Sequence, residues 1–146
     1  MMYAVLLVTH LLAAIAFIGT LFFEVCIWHA ARKPLGQGAR DAADQAIAKR
    51  SRQVLHGVVF LLYGAGIGLA WHHRGALSPP WQNSLGLLLS LKILLALGII
   101  GHYLLLAYWL KQGRLSPARA CGLRRSILGH MLLIVVLAKA MFYWRF

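Results

Sequence analysis

Seven acidic, basic or histidine residues fall inside the long apolar stretches of this chain: His10, Glu24, His56, Lys92, His102, His130 and Lys139. An ionisable side chain at bilayer depth is costly, so each is a candidate for function. The four histidines fall one to each stretch, and neutral imidazole is a common axial ligand of haem iron. Histidines on antiparallel helices are an arrangement that can hold a haem between them. No C-x-x-C-H motif occurs, so such a haem would be bound without a covalent link, as b-type. On this reading His10, His56, His102 and His130 are the candidate iron ligands, and Lys92 and Lys139 the candidate partners of the haem propionates.

Each of these residues also has a plainer reading. A histidine in a membrane helix can simply hydrogen-bond a neighbouring helix, and a lysine in the outer third of a span can snorkel to the interface. Cys26 and His29 have C-x-x-H spacing, but two ligands do not make a metal site. Cys26 and Cys121 both map to the cytoplasmic side, where thiols stay reduced. Gly64, Gly66 and Gly68 resemble part of a nucleotide fingerprint but have no strand before them. Gly64 and Gly68 read better as a small-xxx-small face for close helix approach.

The elements that must position these groups follow from composition. Of 146 residues, 61% are hydrophobic and only 12% charged, against about one quarter charged in a soluble domain. Four stretches are each long enough for the ~20 residues that cross a hydrocarbon core: Tyr3 to Trp28, Val54 to Trp71, Leu85 to Leu110 and Ile127 to Trp144. The expected fold is an all-α integral membrane protein, a four-transmembrane-helix antiparallel bundle forming one domain over residues 1–146. The first stretch lacks a basic n-region and a small-residue cleavage site, so it reads as a span and not a signal peptide.

The net charge of +12 would suggest nucleic acid for a soluble chain, but its distribution points elsewhere. Eleven of the fifteen cations lie in Arg32 to Arg52 and Lys111 to Arg125, and only Arg74 and Arg145 lie on the other side. The basic segments therefore belong in the cytoplasm, with both termini on the outer side of a bacterial inner membrane and no nucleic-acid partner. Trp28, Trp71, Trp81, Trp109 and Trp144 all fall near span ends, as an aromatic belt requires.

Within that frame His10, Lys92 and Lys139 form an outer layer, and His56, His102 and His130 an inner one, from ~1.5 Å rise per residue. His10, Ala13, Ala14, Phe17, Leu21 and Glu24 share one helix face, where the two alanines would leave room for a flat macrocycle. Pro34 to Gly38 reads as a turn, after which Arg40 to Gln53 should be helical and continuous with the second span. The outer loop, His72 to Asn83, contains Pro79-Pro80 and cannot be helical through that point. The short inner loop Gln112 to Pro117 makes spans three and four antiparallel neighbours. His130 and Lys139 are nine residues apart, on opposite faces at ~100° per residue, so one of them must leave a four-helix core. A homodimer is a simple way to cover it.

Several segments resemble the four-helix membrane proteins related to HemJ, the bacterial protoporphyrinogen oxidase, and to CopD, a copper-resistance membrane protein. They are His10-Leu-Leu-Ala-Ala-Ile-Ala-Phe-Ile-Gly19, Ile27-Trp-His29-Ala, Leu91-Lys92-Ile-Leu-Leu and Lys139-Ala-Met-Phe142. The resemblance implies that His10 is a haem b ligand and Lys92 a propionate or substrate partner. Where the HemJ-like pattern has Pro-Arg near the end of the first helix, this chain has Glu24-Val25. The expected function is a b-type haem protein with a redox role, taking electrons from a quinol or porphyrinogen, and an oxidoreductase if it is an enzyme. The alternatives are CopD-like copper handling, with His72 and His73 capturing the ion in the outer loop, and a small assembly subunit without chemistry.

Overall fold

The computed structural model describes residues 1–77 and 83–143. Pro79, Pro80, Trp81, Trp144 and Arg145, which figure in the loop, belt and charge expectations, lie outside the described residues. All regular structure among the described residues is helical. Helix α1 spans Met2–Ala31, α2 Gln37–His72, α3 Ser84–Lys111 and α4 Pro117–Tyr143, and each contains a window long and apolar enough to cross a membrane. A short 3-10 turn, Arg74–Leu77, follows α2. The chain divides into two compact units, Met1–His72 and His73–Phe146.

In the first unit α1 and α2 form an antiparallel hairpin. Helix α1 is α-helical over Met2–Phe22, widens to a π-helix over Phe23–Trp28 and closes as α-helix over His29–Ala31. Its C-terminal carbonyls would be orphaned where the chain turns. Backbone N–H groups of the turn meet part of this need, Arg32 N–H donating to the Trp28 carbonyl and Lys33 N–H to that of Ala30. Arg40 holds the turn itself, its guanidinium donating to the carbonyls of Arg32 (3.2 Å), Lys33 (2.8 Å) and Leu35 (3.2 Å). Asp44 closes the same end by accepting from Trp28 Nε1 at 2.7 Å and from the Arg32 guanidinium. As expected, α2 begins in the polar segment and runs unbroken through Arg40 to Gln53 into its apolar half.

In the second unit α3 and α4 form the other antiparallel hairpin. Asn83 caps α3, its Oδ1 accepting from Gly86 N–H at 2.6 Å. The helix ends in a Schellman arrangement around Gly113, whose φ of +66° suits glycine. Arg114 N–H reaches the Trp109 carbonyl and Gly113 N–H the Leu110 carbonyl. Ser116 then caps α4, its Oγ accepting from Arg119 N–H, and Pro117 takes the first helical position. Helix α4 thus begins about three turns before the expected Ile127, because this cap lies upstream of the basic run Arg119 to Arg125.

Large apolar side chains remain exposed along all four helices, among them Phe60 at 78% and Trp71 at 69%. The small buried set includes Phe17 at 0% and Ile99 at 2%.

Candidate functional site

All four histidines share one local feature: Nδ1 faces a backbone carbonyl. His10 Nδ1 lies 2.9 Å from the Leu62 carbonyl, His56 Nδ1 2.6 Å from that of Arg52, His102 Nδ1 2.6 Å from that of Gly98, and His130 Nδ1 2.8 Å from that of Ser126. A carbonyl can only accept, so each neutral ring must carry its proton on Nδ1. Nε2 is then the basic nitrogen in every case.

The four settings differ. The His10 bond crosses from α1 to α2, and the ring rests on Gly66, where an added Cβ would come within 3.1 Å of Cε1 and 3.3 Å of Nδ1. At Gly68 a Cβ would meet Leu6 Cδ1 at 2.9 Å, whereas Gly64 has open space around it. The close-approach face is therefore Gly66 and Gly68, not Gly64 and Gly68: the histidine ring on α1 is what needs the missing side chain. His56 is exposed and, among the described residues, bonds only its own helix.

In the second unit the structure brings two histidines together. The His102 and His130 rings meet edge to face with centroids 5.0 Å apart. Ser126 on α4 joins them: its hydroxyl lies 2.8 Å from His102 Nε2, and its carbonyl accepts from His130 Nδ1. Because His102 Nε2 is the unprotonated nitrogen, the hydroxyl must donate. His130 Nε2 faces Gly98, with ordinary clearance of 3.5 Å to a hypothetical Cβ. Ser126 was not singled out from sequence, although its spacing of four residues from His130 was a visible signal that the serine carbonyl lies under the ring.

The stripe expected to shelve a macrocycle beside His10 is instead core. Ala13, Phe17, Leu21 and Glu24 are all buried, with Glu24 at 9%. Of the two alanines expected to leave room beside His10, Ala13 is taken up by packing and Ala14 is only partly buried. Glu24 sits within the π-helical turn.

Of the lysines, Lys92 is half-buried, its Nζ 3.9 Å from Met141 Sδ, and Lys139 is exposed, its Nζ 5.5 Å from the Tyr143 ring centroid. His130 turns toward α3 while Lys139 turns away, as their spacing required. Among the described residues no group of three or more His, Cys, Asp or Glu side chains could hold a metal ion. Comparison with protein-family models, curated proteins and solved structures finds no match to this chain.

The donor set fits haem in one respect: each basic Nε2 is fixed by a bond at the opposite nitrogen, which is how metal-binding imidazoles are oriented. His102 and His130 do not form an axial pair. Opposed imidazoles hold their ligating nitrogens ~4 Å apart, twice a metal–imidazole bond of about 2.0 Å, with the iron plane between the rings. Here the rings touch each other and Ser126 already uses His102 Nε2.

Proposed function

We propose that this chain is a multi-pass protein of the bacterial cytoplasmic membrane, with both termini outside, that binds b-type haem in a redox role. Four helices of spanning length with exposed apolar sides support insertion, and the basic loop segments support the orientation. The observation that carries the haem reading is the common Nδ1-to-carbonyl bond, which leaves Nε2 as the metal-binding nitrogen. His10 in the first unit and His130 in the second are each a candidate for an axial nitrogen, taken separately, and Lys92 a candidate for a propionate partner. His102 is the weaker candidate, since Ser126 donates to its Nε2. Bound haem would supply one-electron chemistry with a lipid-soluble donor such as a quinol or porphyrinogen. The resemblance to the HemJ and CopD group agrees with this reading. A homodimer is proposed with it, because Lys139 turns away from the α3–α4 hairpin.

The absorbance spectrum tests the reading. Protein purified from haem-replete cells should be red, with a Soret band that shifts on dithionite reduction. A colourless preparation that gains no band on added hemin contradicts it. Orientation is read separately: a reporter fused after Phe146 should be active only on the periplasmic side.

A further inference from the structure

Helix α2 has 36 residues, ~54 Å at 1.5 Å per residue, well beyond a ~30 Å hydrocarbon core. The surplus is its N-terminal part, which carries Arg40, Lys49, Arg50 and Arg52. Helix α1 runs beside it, pinned at His10–Leu62 and Trp28–Asp44. Counting between those pins, Phe22 and Phe23 of α1 lie level with Arg50 and Lys49 of α2, and Arg52 half a turn further into the apolar part. Both phenylalanines are exposed, at 51% and 41%. Strongly basic and strongly apolar side chains thus stand at one height of the hairpin.

The cations at this end divide into two groups. Arg32 is paired with Asp44, and Arg40 is spent on three carbonyls of the turn after α1. Lys33, Lys49, Arg50 and Arg52 are exposed and make no ion pair among the described residues. Their charge is not needed to hold the hairpin together.

We infer that this end of the first unit is a binding surface for anionic phospholipid headgroups of the inner leaflet. Phe22 and Phe23 enter the acyl boundary, Lys33 meets the phosphates above it, and the long side chains of Lys49, Arg50 and Arg52 reach up to them from the level of the phenylalanines. Apolar side chains level with a row of long basic ones are what an anionic interface binds, through burial and charge together. The inference rests on the proposed orientation but not on haem.

The test uses the full chain in neutral detergent with equal amounts of phosphatidylglycerol and phosphatidylcholine, the retained lipid being counted by native mass spectrometry. Phosphatidylglycerol should exceed phosphatidylcholine by about tenfold or more. The triple variant Lys49→Gln, Arg50→Gln, Arg52→Gln should lose retained phosphatidylglycerol by roughly a hundredfold, since each basic side chain near an anionic leaflet contributes several-fold. Its thermal unfolding should match the wild type. A charge-matched control in the other basic segment, Lys111→Gln, Arg114→Gln, Arg125→Gln, faces the same leaflet and should lose about tenfold less than the α2 triple variant. Equal retention of the two lipids overturns the inference, as does equal loss in both triple variants or displacement of lipid by a short RNA. Lipid retention is read without haem, so a colourless protein leaves this result standing, and failure here leaves the redox reading untouched.

Discussion

In the first hairpin one imidazole is wedged between helices against a glycine with no spare room. In the second, two imidazoles share a serine beside a glycine with ordinary clearance. The bonds are alike in length, yet the first is enforced by backbone approach and the second by side chains that can rotate. A histidine near another helix is therefore not one kind of site. Its tolerance to change depends on what lies behind the ring.

The largest contrast should appear at the glycines. Gly66→Val drives side-chain atoms into the His10 ring and should destabilise the protein by ~1–3 kcal/mol, as overpacking does. Gly98→Ala meets His130 at contact distance only and should cost less than about 1 kcal/mol, and Gly64→Ala should be neutral or slightly stabilising. Unfolding in mixed micelles ranks the three. Equal effects at Gly66 and Gly98 would remove the distinction between the hairpins.

That ranking marks where sequence reasoning stopped. A small-xxx-small spacing shows that a helix can be approached but not by which residue, and His10 reaches the Leu62 carbonyl through a backbone atom that every residue type possesses. The long α2 was legible because Pro34 to Gly38 punctuates it and Arg40 to Gln53 has helix-forming composition. The early start of α4 was not, because hydropathy ends at the basic residues while the Ser116-Pro117 cap precedes them. The alanines beside His10 were read as space for a ligand, but small side chains equally admit another helix. The opposite faces of His130 and Lys139 were legible from angle alone. The approach of His102 to His130 needed the pairing register of α3 and α4, which no single helix carries.

A middling effect belongs to Asp44. Asp44→Ala leaves Trp28 Nε1 and Arg32 without their acceptor, but the ion pair is about 30% exposed on either side. The loss should be about 1 kcal/mol, visible mainly as faster proteolysis near Lys33. Unchanged proteolysis would show that the Arg40 contacts hold the turn alone.

The smallest effect should follow Ser126→Ala. It removes one interhelical hydrogen bond, worth ~0.6 kcal/mol on average in a membrane protein, and frees His102 Nε2. An unfolding cost above about 2 kcal/mol would show that the pair is clamped as tightly as His10 and would erase the contrast.

Haem content and the dithionite-minus-oxidised difference spectrum of His10→Ala, His56→Ala and His130→Ala, measured beside the wild type, test the central claim most directly. The account predicts a red wild type, loss or conversion of the Soret band in at least one of His10→Ala and His130→Ala, and an unchanged spectrum in His56→Ala, whose exposed ring bonds its own helix. A colourless wild type, or full haem with unchanged spectra in both His10→Ala and His130→Ala, would contradict it and leave these histidines as hydrogen-bonding residues of the four helices.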